Sequence, residues 1–290
     1  MKIFKNKETT GSSLTEGKDI KKWLRLIVSG IMAGISISIG GVAAIFMNSS
    51  VSGTPLKAAL LFPIGIFLTY YFGLDLYTGK IGYLLENRNK EYVIKILVIV
   101  VSNLLGTIFF GYLMHFMYKG QLASLTALQK IGETRVMENS FVGFLRVFVS
   151  SMFGCAFVHV AVDLCKRMKS DFGKILALWL PVTAFVYFGY DHSIANMFYF
   201  SFLGDLSAKR WLYVFVNVIG NGVGGLLTHL LIMFVAPKKA KTETAIDESQ
   251  NNEITIEENV KYQVTIDKGV VSETAFINQA ENDKRIDNKN

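Results

Sequence analysis

Hydrophobic residues in this chain are grouped into long runs that short polar segments separate. An α-helix needs about 20 consecutive apolar residues to cross the hydrocarbon core of a bilayer, because each residue adds about 1.5 Å of rise. Four runs reach that length without interruption: Leu26–Met47, Ile96–Tyr118, Phe141–Leu164 and Trp211–Val235. The pattern predicts four uninterrupted transmembrane helices.

Two further runs are interrupted by glycine-containing polar segments. The run from Ala58 to Leu85 is broken at Gly73–Gly79, and the run from Ile175 to Leu203 is broken at Gly189–Ser193. We therefore predict an all-α integral membrane protein with six transmembrane helices, of which helices 2 and 5 are broken.

The two halves of the chain show a weak internal repeat at an offset of about 117 residues, of the kind found in transporters. The matched pairs include both interruptions: Pro63 and Pro181, Phe67 and Phe185, Gly73 and Gly189, Asp75 and Asp191, Asn103 and Asn221, Gly106 and Gly224. Three spans separate the copies, so the halves run in opposite directions, as an inverted 3+3 repeat. A non-helical break inside a membrane must be buried in protein or line a wet cavity, so we expect the two breaks to meet at a pore.

Composition excludes several classes of protein. Apolar residues make up 51% of the chain and charged residues 18%, which is unusual for a soluble domain of 290 residues. The net charge of +7 comes from bases that punctuate apolar runs, unlike the clustered bases of nucleic-acid-binding proteins. The chain has no HExxH or Gly-x-Ser-x-Gly motif. We expect no enzyme activity, metal, cofactor or nucleic-acid partner.

Both cysteines and three of the four histidines fit packing roles. Cys155 and Cys165 lie in or beside one apolar run, and we interpret them as small buried residues. His115 and His229 stand singly in apolar runs. His159 is one helical turn from Asp163, so we expect a local hydrogen bond between them.

Lysine and arginine in the short loops predict the orientation and domain limits. Bases are frequent near residues 18–22, 86–91, 165–174 and 237–241, so the side of the cell membrane that carries these segments is predicted to be cytoplasmic. Both termini then lie on the cytoplasmic side. We predict a cytoplasmic segment at 1–22, a six-helix channel domain at 23–236 and a cytoplasmic tail at 237–290. The tail holds 11 acids and 8 bases, a composition that predicts a largely disordered extension.

The residues at both interruptions resemble motifs of the formate/nitrite transporter family. HSIANMF (192–198), preceded by Gly189 and Asp191, is the most specific match, and GLDLYTG (73–79) resembles the family's loop between the halves of its second helix. MAGISISIGG (32–41) and GNGVGG (220–225) resemble its close-packing glycine motifs. The resemblance covers residues 18–236 and leaves the tail outside.

The resemblance implies an aquaporin-like fold, a homopentamer with one pore per protomer, and pore residues at the matched positions. His192 matches the central pore histidine and Thr78 the loop threonine within hydrogen-bonding reach of it. The other implied residues line or shape the pore: Leu76 and Tyr77 at an apolar gate, Phe62, Ile66 and Phe185 at apolar constrictions, and Ser193 and Asn196 at the second break.

The chain departs from the family in its fourth span. The family's Arg-Gly-x-x-Cys-Asn-x-x-x-Cys is RVFVSSMFGC here, so Arg146 and Cys155 fit while Ser151 replaces the pore asparagine. Arg135 is aligned with the family's vestibule lysine, and Lys80 is an additional cation outside the family pattern. We expect these three cations to lie in the vestibules of the pore.

The resemblance implies a channel for small monovalent anions: formate, nitrite, hydrosulfide or short-chain carboxylates. We expect the anion to cross with a proton, with His192 as the central group. A neutral-solute channel of the aquaporin type is the alternative, because it shares the inverted repeat, although neither break contains its Asn-Pro-Ala motif. A membrane protein with a structural role alone is a further alternative, which substrate uptake would separate from both channels.

Overall fold

The computed structural model describes residues 9–50, 53–135 and 140–236, with side chains from Ile20 onward. The described residues up to Val235 belong to one compact unit. Its described elements, in chain order, are α1 Thr9–Ser49, α2 Pro55–Leu61, α3 Ile64–Tyr71, α4 Tyr77–Lys80, a first 3₁₀ helix Ile81–Leu85, α5 Lys90–Tyr118, a second 3₁₀ helix Lys119–Ser124, α6 Thr126–Thr134, α7 Phe141–Arg167, α8 Asp171–Tyr187, α9 Ser193–Leu203 and α10 Ala208–Val235. The prediction of an all-helical fold is confirmed for these residues, and the predicted tail at 237–290 lies outside them.

Four stretches are long and apolar enough to span a membrane: Ile20–Ser49, Lys90–Ser124, Phe141–Arg167 and Ala208–Val235. They coincide with the four uninterrupted runs of the sequence. α1 begins earlier than its apolar run, at Thr9, and α6 forms in a stretch for which the sequence predicted no helix.

Short polar residues fix the starts of four helices. Thr54, Asn89, Ser140 and Ser170 each accept a hydrogen bond from the backbone N–H three residues later, at 2.8–3.2 Å. Each of the four has an extended backbone, which is the conformation of an N-cap residue. These caps fix the first residues of α2, α5, α7 and α8.

Two helix pairs contact each other over long faces, α1 with α5 and α7 with α10. Glycines permit both contacts. A Cβ added at Gly106 of α5 would lie 2.1 Å from the Ile31 carbonyl oxygen of α1, and one at Gly224 of α10 would lie 2.1 Å from that of Met152 in α7. The backbones approach too closely for any larger residue at these two positions.

α9 forms the centre of the core. Every residue from Ser193 to Phe202 is buried, and the largest fully buried side chains of the described chain include Phe198, Phe200 and Phe202. α9 packs against α5, α1, α10 and α6. The residues just before α9 are therefore held in the interior of the helix bundle.

Candidate functional site

The helices α3 and α8 end in the same way. Gly73 and Gly189 have positive φ angles of 63° and 73°, a conformation that a side chain would strain. In each case the next residue's N–H donates to a carbonyl five residues earlier, Leu74 to Thr69 at 2.9 Å and Tyr190 to Phe185 at 3.1 Å. This is the bonding of a Schellman helix end, and it explains the need for glycine at both positions.

The first non-helical segment is held by Asn103 of α5. Its Oδ1 accepts a hydrogen bond from the Tyr77 N–H at 2.8 Å, and its Nδ2 donates to the carbonyls of Asp75 and Gly30, both at 2.8 Å. One amide thus satisfies two buried backbone groups of the segment and ties it to α1.

The second segment is held in the equivalent way by Asn221 of α10. Its Oδ1 accepts from the Ser193 N–H at 2.8 Å, and its Nδ2 donates to the carbonyls of Ser151 at 2.6 Å and Asp191 at 3.2 Å. Buried backbone groups of non-helical segments require such partners, so both asparagines are structural requirements of the site.

Each segment carries one aspartate that pairs with a cation. Asp75 accepts from the Ser29 hydroxyl at 2.8 Å and lies 3.1 Å from Lys80 Nζ. Asp191 is more deeply buried, and its Oδ1 accepts from Arg135 Nη1 at 2.6 Å, from Asn196 Nδ2 at 2.9 Å and from the Tyr213 hydroxyl.

Arg135 follows α6 in the connection before α7 and lies against this acidic group. Burial lowers the pKa of its guanidinium, but the Asp191 carboxylate together with Tyr213 and Tyr199 outweighs that effect and raises the pKa above its ordinary value. Arg135 therefore stays charged and neutralises Asp191.

Thr78 and His192 bring the two segments into contact. Thr78 Oγ1 lies 2.9 Å from His192 Nε2, and both side chains are almost completely buried. His192 also caps α9, because its Nδ1 accepts the Ala195 N–H at 3.2 Å. Since Nδ1 accepts, the neutral ring carries its proton on Nε2 and donates it to Thr78 Oγ1. The hydrogen of the Thr78 hydroxyl is then available to another acceptor.

Aromatic rings close around this pair. Phe62 and Phe185 meet edge to face with ring centroids 5.7 Å apart, and Phe185 lies 6.0 Å from the His192 ring. Phe62 follows α2 and Phe185 is in α8, and both are buried. The polar pair therefore lies beside buried aromatic rings.

Two cavities lie near the pair. A large cavity of about 560 Å³ is lined by residues that include Lys130, Arg135, Arg146 and Asp191, and a small cavity of about 160 Å³ by residues that include Ile66, Leu76, Lys80 and Lys166. Both cavities carry cationic side chains.

The cavities lie at different levels of α7. The large cavity touches α7 at residues 143–150 and the small one at Val162 and Lys166, which is about 18 Å further along the helix at 1.5 Å per residue. Cys155 lies between these levels, and its Sγ is 3.5 Å from the Thr78 carbonyl oxygen. Thr78 and His192 are therefore between the two cavities.

Comparison with known proteins gives a consistent assignment. The family profile described as Formate/nitrite transporter matches residues 8–235. A formate channel of Bacillus thuringiensis, BtFdhC, is 28% identical over 221 residues, which cover 69% of this chain and 82% of the relative. The chain belongs to the formate/nitrite transporter family. The resemblance seen in its motifs is thereby confirmed.

Solved structures show the same fold. A structure described as a pentameric formate channel with formate bound superposes with a TM-score of 0.61 at 22% identity, covering 74% of this chain and 97% of that one. An aquaglyceroporin from Plasmodium falciparum superposes with a TM-score of 0.54 at 18% identity, covering 73% and 96%. The prediction of an aquaporin-like fold is confirmed at this level, and the family together with the long apolar helices makes the chain a multi-pass membrane protein.

Most of the family-matched residues lie at or beside the site. Leu76 and Ile66 line the small cavity together with Lys80, and Arg135 and Arg146 line the large one. Asn196 belongs to the Asp191 network, and its Nδ2 also donates to Asn217 Oδ1 at 2.5 Å. Ser193 Oγ is buried and has no hydrogen-bond partner among the described residues.

Two of the predicted pore residues donate their hydroxyl hydrogen bonds to backbone carbonyls of the long helices. The Tyr77 hydroxyl donates to the Val218 carbonyl of α10 at 2.9 Å. Ser151 Oγ donates to the Val147 carbonyl at 2.7 Å within α7, and neither residue lines the two cavities.

One expectation from the sequence is wrong. His159 does not bond Asp163, because Asp163 pairs with Arg167 at 2.6 Å and His159 Nε2 lies 3.0 Å from His229 Nδ1 instead. A one-turn spacing within α7 carried no information about α10, which supplies the actual partner. No group of three or more His, Cys, Asp or Glu side chains suited to a metal ion occurs in the described parts of the chain.

Tyr213, Asn217 and Ser29 were missed by sequence reasoning. Each lies within a long apolar helix, outside any recognised motif, and its link to Asp191, Asn196 or Asp75 spans more than 20 positions. An uncommon polar residue inside an apolar run was the available signal, and it does not identify the partner.

Proposed function

We propose that this chain is a membrane channel for small monovalent anions, formate among them, which cross together with a proton. Nitrite, hydrosulfide and short-chain carboxylates belong to the same proposed range. The proposal is supported by membership of the formate/nitrite transporter family and by the similarity to a formate channel.

One observation carries the proposal. The Thr78–His192 contact lies between two cavities, each of which presents a cation that forms no ion pair with a described acid: Arg146 on one side and Lys166 on the other. Arg135 and Lys80 also line these cavities, but each is paired with an aspartate. Cations concentrate anions at a cavity mouth. A neutral solute gains nothing from them, so the charge distribution favours anions over the aquaporin-type alternative.

The apolar constriction explains why a proton accompanies the anion. A bare anion in a low-dielectric passage is penalised by several to tens of kcal/mol. Protonation of a carboxylate whose pKa is about three units below the ambient pH costs about 4 kcal/mol, at about 1.4 kcal/mol per unit. Passage between Phe62 and Phe185 as the neutral acid is therefore the less costly route.

His192 and Thr78 supply the hydrogen bond at the constriction. While Nδ1 accepts the Ala195 N–H, His192 is neutral and presents Nε2–H to Thr78. The Thr78 hydroxyl then donates to the anion or to its acid. His192 transfers a proton of its own only after it gains one at Nδ1, which breaks the bond that caps α9.

The proposed architecture is six spans in an inverted 3+3 repeat, with helices 2 and 5 broken at residues 72–76 and 188–192. It is supported by the equivalent bonding of the two segments, because Asn103 and Asn221 bond the same backbone positions and Gly73 and Gly189 end the helices alike. We further propose a channel domain at 23–236, termini on the cytoplasmic face, and a homopentamer. The description of one structural relative as a pentameric formate channel supports this last part.

The test replaces the Thr78 hydroxyl without changing the size of the side chain. Thr78→Val removes the donor, while Thr78→Ser keeps it and serves as the matched control. Stopped-flow pH measurement follows formate uptake into proteoliposomes. We expect the uptake rate to fall about 2- to 10-fold in the valine variant, because a hydrogen bond to the neutral acid contributes about 0.5–1.5 kcal/mol.

A second substitution separates transport from folding. Asparagine is a good N-cap residue, so His192→Asn keeps the start of α9 but does not reach Thr78. We expect the same loss of uptake with little loss of stability. Wild-type uptake by both Thr78→Val and His192→Asn would remove the pair from the mechanism.

A further inference from the structure

A third cavity, of about 320 Å³, lies between α1 and α5. Four basic side chains line it: Lys22 and Arg25 of α1, Lys80 at the end of α4, and Lys95 of α5. Bases gathered around a concave surface concentrate negative charge there more effectively than bases on an open surface. The cavity is therefore a candidate site for an anion.

The described acids do not balance the bases that α1 and α5 contribute. Glu91 is shared by two lysines, because its Oε1 lies 2.6 Å from Lys22 Nζ and 3.1 Å from Lys95 Nζ. Arg25 is exposed and forms no ion pair with a described acid. Positive charge is thus in excess among the described side chains at this cavity, and a bound anion would relieve it.

The cavity lies where both helices begin their apolar runs. The two bases of α1 come just before the run Leu26–Met47, and Lys95 immediately precedes the run Ile96–Tyr118. Since α1 and α5 belong to a multi-pass membrane protein, the ends of these runs lie at the depth of the lipid headgroups. Trp23 also lines the cavity, and tryptophan is enriched at this depth.

Exposed apolar side chains continue from the cavity along both helices. On α5, Val93, Leu97 and Val101 are 44–58% exposed, and on α1, Leu24 and Val28 are 58% and 47% exposed. Residues spaced by four share one face of a helix. A lipid whose headgroup occupies the cavity can lay its acyl chains against these faces, whereas a free anion gains nothing from them.

The basic side chains suit a phosphate group. An arginine guanidinium can donate two parallel hydrogen bonds to phosphate oxygens, and lysine ammonium groups attract phosphate as point charges. Basic pockets between transmembrane helices are known to bind phosphate-containing lipid headgroups. We propose that this cavity binds the phosphate group of an anionic phospholipid, with Arg25 and Lys95 as partners of the phosphate.

A small anion from the proposed pore is the alternative ligand. Lys80 lines both this cavity and the small cavity, so the two are adjacent. The lipid is favoured because the exposed faces of α1 and α5 adjoin the bases, and the experiment includes both kinds of ligand.

Quenching of tryptophan fluorescence by brominated lipids tests the site. The full chain is reconstituted in vesicles of phosphatidylcholine with a fixed fraction of phosphatidylglycerol, and the acyl chains of one lipid or the other are brominated. The chain has three tryptophans, so the difference between the wild type and Trp23→Phe isolates the quenching of Trp23. We expect phosphatidylglycerol to be enriched about tenfold over phosphatidylcholine at Trp23.

Two substitutions at the cavity and one control assign the enrichment to its bases, each measured with and without Trp23→Phe. Arg25→Gln should lower the enrichment about fivefold, the effect of about one basic residue near an anionic lipid. Lys95→Gln should lower it as well, and Glu91 keeps Lys22 as its partner in that variant. Lys169→Gln is the matched control, because Lys169 is an exposed lysine outside the cavity on the same predicted side. Its enrichment should equal that of the wild type.

Three results would overturn the proposal. One is equal quenching of Trp23 by the two lipids in the wild type. Another is an enrichment that Arg25→Gln and Lys95→Gln both leave unchanged, or that Lys169→Gln lowers as much as they do, since the attraction would then belong to the surface in general. The third is displacement of the lipid by millimolar inorganic phosphate or formate at constant ionic strength, which would assign the cavity to a free anion. The measurement involves no transport, so a protein without formate uptake would contradict the proposed function alone.

Discussion

Among single residues, Asp191 carries the most consequential buried charge of the site. Its carboxylate is neutralised by Arg135 and accepts hydrogen bonds from Asn196 and Tyr213. Removal of one partner from a buried ion pair leaves an uncompensated charge, which is far more destabilising than loss of a surface pair. The stability of the second non-helical segment therefore depends on Arg135.

We predict that Arg135→Met lowers the free energy of unfolding by about 3 kcal/mol, because it leaves Asp191 buried without a cation. Unfolding by titration with SDS, followed by circular dichroism, measures this loss. Arg146→Met is the matched control, since Arg146 lines the same cavity with an exposed side chain and its loss changes stability by about 0.5 kcal/mol or less. Equal stability of the two variants would contradict the assigned role of Arg135.

Residues of the site were predictable from sequence where a motif carries them. His192 and Thr78 were predicted through the family motifs, and their 2.9 Å contact agrees with that expectation. Tyr213 and the His159–His229 pair were not predictable, because their partners lie on other helices. A one-dimensional spacing reports neighbours within a helix, whereas these contacts depend on how the helices pack.

At the scale of elements, each non-helical segment depends on one asparagine from the next long helix along the chain, α5 or α10. Asn103 and Asn221 each satisfy backbone groups that would otherwise be buried without partners. The internal repeat identified both positions in the sequence. Their role as partners of the segment backbones required the structure. An asparagine in an apolar helix can equally well contact a neighbouring helix.

We predict that Asn221→Ala lowers the free energy of unfolding by about 2–6 kcal/mol, because it removes the partner of the Ser193 N–H and of the Asp191 carbonyl, at about 1–3 kcal/mol for each group. Asn103→Ala should have a similar effect. Asn87→Ala is the control, since Asn87 makes one bond to the Tyr83 carbonyl in a partly exposed connection. Thermal unfolding of the purified protein measures all three, and a loss in Asn87→Ala as large as in the other two would contradict the explanation.

The contact between long helices leads to a separate prediction at this scale. Gly106→Ala and Gly224→Ala each place a methyl group 2.1 Å from a backbone oxygen of the neighbouring helix, so the helices must separate. We expect a loss of about 2–3 kcal/mol or more, as for overpacked cores. Gly120→Ala, which has nothing within 4 Å of its added Cβ, should be neutral. Stability of all three variants equal to that of the wild type would contradict the close approach.

At the scale of the whole molecule, two of the cavities among the described helices carry cationic side chains and lie at different levels of α7. Length and hydropathy predicted the long helices, because an uninterrupted run of about 20 apolar residues indicates a helix that spans the membrane. They did not predict α6, whose short amphipathic sequence lies in a connection and contributes Arg135 at its end. Part of the positive charge that lines the large cavity therefore comes from this unpredicted helix.

The last prediction concerns the charge that crosses the molecule with each substrate. If the anion passes Phe62 and Phe185 as a neutral acid, one proton moves with each anion and no net charge is transferred. We expect formate uptake by proteoliposomes to acidify the interior, to accelerate as the external pH falls towards the pKa of the acid, and to be unaffected by an imposed membrane potential. The protonated fraction changes about tenfold per pH unit at a pH well above that pKa, so the rate at low substrate should change by nearly that factor. Valinomycin with a potassium gradient sets the potential, and stopped-flow fluorescence of an enclosed pH dye gives the rate. A rate that follows the potential and ignores the pH would mean that the bare anion crosses, and the polar pair at the constriction would then have to replace its hydration shell.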